Sequence, residues 1–155
     1  MTQPIGQKAA IPNKSLEQFR VLVGTWDTVG THPLVPEAKV HGRVSFEWIE
    51  GGAFLIERSE INDDPRFPSG LAIFGHDDDQ EDCTIVYFDS RGVSRVIHTT
   101  LQDNVWKQWR NAPGFSQRST TTISADGNSM TSVGELSKDG KTWEGDLSLI
   151  YTRVK

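Results

Sequence analysis

The chain predicts an all-β protein: an antiparallel, up-and-down β-barrel of about ten strands with a short N-terminal helix. Three observations carry this reading. After Gly24 the sequence falls into short runs rich in Val, Ile, Thr, Phe, Tyr and Trp, divided by Gly, Pro, Asn and Asp. The dividing segments are short, so neighbouring runs should pair as antiparallel hairpins. A meander this long closes more readily than it stays open, because closure removes both edges.

In chain order, residues 1–14 hold Gln, Pro and Gly without a period and are expected to form a flexible tail; residues 15–155 form a single barrel domain. Ser15 is placed to cap a helix, with Gln18 completing a capping box. Leu16, Phe19, Leu22 and Val23 make one apolar stripe. A helix of roughly eight residues is marginal alone, so the stripe needs a partner, and a barrel end supplies one. Strands are then expected over 24–32, 41–50, 53–62, 70–75, 83–89, 94–101, 105–110, 115–124, 129–137 and 142–154.

Alternation assigns some inner faces directly. Val44, Phe46 and Trp48 oppose Arg43, Ser45 and Glu47, and should point inward. Trp143, Leu147, Leu149, Tyr151 and Arg153 share a face in the last strand. Runs 53–62, 94–101 and 105–110 carry charged or polar residues on both faces, so their inner face stays open. A barrel interior that mixes Trp, Tyr, Arg and His with aliphatics is not a dry core: an inward Arg needs an acid, water or an anionic ligand.

Composition excludes some functions. Basic residues number 16 and acidic residues 21, and five of the acids lie in the run 77–82, without which the charges balance. No basic field exists to hold a phosphate backbone, so no nucleic-acid partner is expected. No stretch resembles a membrane span or signal peptide. Cys83 is the only cysteine, so no intrachain disulfide can form, and a cytoplasmic setting is expected.

Four ordered stretches carry a resemblance: Leu22-Val23-Gly24-Thr25-Trp26, Glu47-Trp48-Ile49-Glu50-Gly51-Gly52-Ala53-Phe54-Leu55, Tyr87-Phe88-Asp89-Ser90-Arg91-Gly92, and Tyr151-Thr152-Arg153. With them the chain resembles the calycin superfamily, and more narrowly the nitrobindin-like and lipocalin-like bacterial domains. The resemblance implies that Trp26 crosses the barrel floor beneath Arg153, a cation–π contact of roughly 0.5–2 kcal/mol. Nitrobindin-like proteins bind haem through a late histidine. The matching stretch here, 145–151, has none; the four histidines are His32, His41, His76 and His98. Haem bound in that way therefore departs from the pattern, and no cofactor is expected. The fatty-acid clamp of related barrels, Arg-x-Tyr, is reversed here as Tyr151-Thr152-Arg153.

The leading functional expectation is an intracellular carrier or sensor of a small hydrophobic or amphipathic ligand. Phe46, Trp48, Tyr87, Trp106 and Leu149 are the expected pocket lining, and the planar donor forks of Arg58 or Arg110 would meet an anionic head. The alternative is a barrel enzyme of isomerase, cyclase or haem type, with His98 or an inward Glu57 as base. A further alternative is a domain acting through its outer surface, as a homodimer. No Gly-x-Ser-x-Gly elbow, phosphate loop or calcium loop is present, and no metal site is expected.

Overall fold

The structure, a computed structural model, describes residues 10–61 and 63–155. Asn62 and most of the expected tail, residues 1–9, lie outside the described residues. The barrel is closed by ten antiparallel strands: β1 (Gly24–Thr31), β2 (Val40–Ile49), β3 (Phe54–Ile61), β4 (Gly70–Gly75), β5 (Cys83–Asp89), β6 (Ser94–Gln102), β7 (Val105–Arg110), β8 (Ser116–Ile123), β9 (Ser129–Ser137) and β10 (Glu144–Arg153). Each pairs with its neighbour in sequence, and β1 pairs with β10 to close the ring. All ten expected runs are strands, with ends that differ by no more than two residues.

The N-terminal helix is 3₁₀, Lys14–Leu22. Its cap is Asn13, whose side chain accepts from the Ser15 N–H, and not Ser15 itself. Gln18 forms no capping box. It reaches across to β6 and accepts from the Leu101 N–H at 3.0 Å. The preceding chain is docked too, since the Asn13 N–H donates to the Gly52 carbonyl at 2.9 Å.

Leu16, Phe19 and Leu22 are fully buried and plug one end of the barrel. Below them Phe74 meets Phe19 edge-on, and Phe46, Phe74 and Trp106 form a cluster with ring centroids 5.9–6.3 Å apart. Edge-to-face rings at such spacings add to their area burial. Two polar groups in this half are paired: the Trp106 indole donates to Thr99 Oγ1, whose hydroxyl donates to the Lys107 carbonyl.

The Leu-Val-Gly-Thr-Trp stretch closes the plug. A helix end leaves carbonyls without intrahelical donors. Here Arg153 donates to the carbonyls of Val21 and Val23, and Trp26 Nε1 donates to Leu22. The guanidinium also donates to Gly127 and lies 4.1 Å from the centre of the Trp26 ring. Gly24 has φ +130°, and a Cβ there would come within 2.6 Å of Arg153 Nη1. Only glycine admits both the backbone angle and the guanidinium.

One sequence expectation fails at β10. Between Gly145 and Ser148 the strand gains one residue against β9, a β-bulge. The extra residue flips the alternation, so Trp143 does not share a face with Leu149 and Tyr151. It lies outside, with the Arg118 guanidinium 3.8 Å from its ring centre.

Candidate functional site

Directly opposed residues on antiparallel strands share a face, so the register determines what lines the interior. One inward row runs Phe46–Glu57–Ala72–Tyr87–Arg95 across β2 to β6. On the opposite wall Gln108, Ser119 and Gly134 form a row, and Thr121, Ser132, Leu149 and Gly30 form another. The half of the interior beyond Phe46 is therefore lined by small, polar and aliphatic side chains.

Glu57 sits at the boundary between the halves. It faces inward beside Phe46 and Ala72, yet the residue is only half-buried, so the wall is not closed over it. Burial raises its carboxyl from 4.5 to about 7. Its carboxylate forms no hydrogen bond or ion pair among the described residues. The Tyr151 hydroxyl faces the same space: burial first, then the Glu57 charge, pushes it far above the usual tyrosine range. The hydroxyl of Thr121 is buried with no partner among the described residues. Gln108, Ser119, Leu147 and Leu149 face inward but are only partly buried, so open space continues toward the far end.

The other interior charges are engaged. Asp89, whose side chain has no exposed surface, accepts from Arg91 and from the Tyr87 hydroxyl at 2.8 Å. Arg91 chiefly, with help from Tyr87, holds that carboxyl well below the usual range. A polar chain crosses the far end: Arg95 donates to Gln117 at 2.7 Å, Gln117 donates to Asp146 at 3.2 Å, and Asp146 lies 3.1 Å from His32 Nε2. The Leu34 N–H donates to His32 Nδ1, which leaves Nε2 as the proton-bearing nitrogen facing Asp146.

The wall also has a gap. Pairing of β6 with β7 begins at His98–Trp109, and beyond it the two strands separate. A cleft of about 350 Å³ opens there, bordered by Ser94, Arg95, Val96, His98, Arg110, Asn111 and Ala112.

Several predicted site residues are placed elsewhere than expected. Arg58 is on the outer face, since it opposes Ser45 and Leu71; it is 57% exposed and 4.0 Å from Glu47. It cannot read an anion inside the barrel. Trp48 lies at the rim of the plugged end, with Arg20 5.8 Å from its ring centre, away from the polar half. Phe46 and Trp106 are core, each 1% exposed, and form the floor beneath the hollow. His98 points outward, bonded through Nδ1 to Asp82 at 2.7 Å and stacked on Trp109. An outward histidine cannot serve as base or ligand within the interior.

Tyr87 and Leu149 are inward, and Arg110 stands at the wall gap, donating to the Phe115 carbonyl at 3.1 Å. Glu57 and Tyr151 are brought to one space from β3 and β10. Arg95, Gln117, Asp146 and His32 were not singled out by the sequence. The one available signal was that Arg95 alternates with Ile97, Thr99 and Leu101.

No protein-family model matches the chain, and no curated protein matches it. Among solved structures, the chain is similar to Rv2717c from M. tuberculosis, with a TM-score of 0.64 and 15% identity. The alignment covers 96% of this chain and 100% of that one. At that identity the likeness establishes a shared barrel fold and nothing about chemistry.

Proposed function

We propose that the barrel is a carrier or sensor, of calycin type, that holds a small amphipathic molecule in the half of its interior beyond Phe46. The observation that carries the reading is an inner wall whose Glu57, Tyr87, Gln108, Ser119, Leu147 and Leu149 are only half-buried, polar and aliphatic side chains together. Ligand sites share that composition, mostly apolar with a few placed polar groups. The expected route in is the far end or the gap between β6 and β7. The single, buried Cys83, its thiol raised by burial to about 11, suits an intracellular setting. Among the described residues no helix is long and apolar enough to cross a membrane. Haem bound through histidine does not fit the donor set. His41 and His98 face outward, His76 bonds the Gln80 carbonyl, and His32 is committed to Asp146 and Leu34.

The test is methyl NMR with a small neutral aromatic, benzyl alcohol. Resonances of the inward Leu147 and Leu149 should move, and those of the outward Val133 and Ile150 should stay. Ser119→Phe, which fills the hollow, should abolish the response. Movement of the outward methyls alone would overturn the reading.

A second reading has its own observation. Ile56, Ile73, Val86 and Val96 oppose one another across the outer face of β3 to β6, with Phe54 and Phe88 beside them. Val86, Phe88 and Val96 are 37–57% exposed. A contiguous apolar belt favours a homodimer. Concentration-dependent sedimentation, lost in Val86→Lys, would support it; a monomer at all concentrations would remove it.

A further inference from the structure

Among the described residues Glu57 is the inward acid with no hydrogen-bond or ion-pair partner, and that group defines what the space beside it can hold. The other charges facing the interior each have a hydrogen-bond partner, although those of Arg95 and Arg110 are neutral. Asp89 is held by Arg91 and Tyr87, Arg95 by Gln117, Asp146 by His32 and Gln117, and Arg110 by the Phe115 carbonyl. Directly opposite Glu57 on the flanking strands stand Phe46 of β2 and Ala72 of β4, neither of them charged. From across the barrel it meets Tyr151, a neutral phenol. The nearest cation on its own strand, Arg58, points to the outside.

A buried carboxylate without a partner is costly, and the cost is relieved by a counter-ion or by protonation. The protein supplies no counter-ion among the described residues. The inward neighbours are Phe46, Ala72, Tyr87, Leu149 and Tyr151, aromatic and aliphatic side chains of the kind that pack around an organic cation. An anion in the same place would face the Glu57 carboxylate directly, whereas Arg95 and Arg110 stand toward the far end and the wall gap.

We infer that Glu57 is the recognition group of the interior and that the ligand is a small organic ammonium ion, donating N–H to the Glu57 carboxylate, with the Tyr151 hydroxyl beside it. This rests on the interior being the binding site and names the class of molecule it takes. The pairing has a pH signature. The carboxyl titrates near 7 in the empty barrel, so ammonium binding strengthens as pH rises through that value. His32 and Asp146 stand at the far end, bonded to each other, and not against Glu57.

The experiment compares benzylamine, benzyl alcohol and benzoate, which differ only in the head group, by methyl NMR and calorimetry on the full chain. Benzylamine should bind at least about tenfold more tightly than the other two, and Glu57→Gln should erase that advantage, so that the variant binds benzylamine no better than benzyl alcohol. Between pH 7 and pH 5 benzylamine should weaken by up to about tenfold per unit, with benzyl alcohol flat. Should Glu57→Gln not fold, the head-group order and the pH profile of the natural protein decide alone. Benzoate binding best, a pH-independent amine, or an advantage that survives Glu57→Gln overturns the inference. Equal binding of benzyl alcohol and benzylamine at Leu147 and Leu149 removes the inference and leaves the interior reading intact. No response from any of the three removes both.

Discussion

Below Glu57 the barrel is filled with Leu16, Phe19, Leu22, Phe46, Phe74 and Trp106, all at most 1% exposed, and the loose carbonyls of the plug are taken by Arg153 and Trp26. Above it the inward side chains are Gln108, Ser119, Leu147 and Leu149, partly buried, with a polar chain over the far end. The same ten strands build both halves, so the difference comes from the side chains and from the N-terminal helix that plugs one end. One half is a core, and the other is the container proposed above. Stability should depend on the first, and selectivity on the second.

The largest effect that tests this division is truncation in the floor. Trp106→Ala or Phe46→Ala should cost about 3–5 kcal/mol in chemical denaturation, because each removes a ring packed against two others. Ser119→Ala, on a partly open wall, should fall within about 0.5 kcal/mol. Similar costs at the two sites would erase the distinction between core and container.

Next is the pH dependence contributed by Glu57. Its carboxyl is raised from 4.5 to about 7 in the folded protein, so the folded state holds a proton that the unfolded state has released. Stability is then fully present below 4.5 and declines as pH rises to about 7, by up to about 3 kcal/mol. Denaturation midpoints for the natural protein should fall across that window, and Glu57→Gln should flatten the profile. A flat profile in the natural protein would show that water or an ion already solvates the carboxylate.

A smaller effect sharpens the account of the plug. Gly24→Ala places a Cβ at φ +130° and against Arg153 Nη1, and should cost about 2 kcal/mol. In an Arg153→Ala background the added cost should shrink, because the clash is gone and only the backbone strain remains. Additive costs would mean that the guanidinium does not constrain the glycine.

How far the sequence carried depended on how local the controlling interaction is. Strand number and the barrel followed from composition and turn residues, which act within a few positions. The faces of β3, β6 and β7 did not, because charged or polar residues occur at both parities and the choice lies in the register. For β3 the Glu50–Gly52 turn sets Ile49 against Phe54, and this places Glu57 beside Phe46 inside and Arg58 outside. Trp143 was misplaced because a single inserted residue at the Gly145–Ser148 bulge inverts everything before it. The rim chain from Arg95 to His32 joins β6, β8 and β10 with the residue that follows β1, all distant in sequence, and has no local signature.

Arg58 gives the smallest expected effect and a clean control for that register. It is 57% exposed and only 4.0 Å from Glu47, an ion pair at the outer limit of contact and open to solvent on the outer wall. Such pairs contribute little, so Arg58→Ala should change stability by no more than about 0.5 kcal/mol. It should also leave the benzylamine affinity and its pH profile untouched, since the side chain is separated from the hollow by the sheet. One position along, Glu57→Gln should change both. If instead Arg58→Ala altered ligand binding and Glu57→Gln did not, β3 would have to be paired one residue out of register, with its charges exchanged between the inside and the outside.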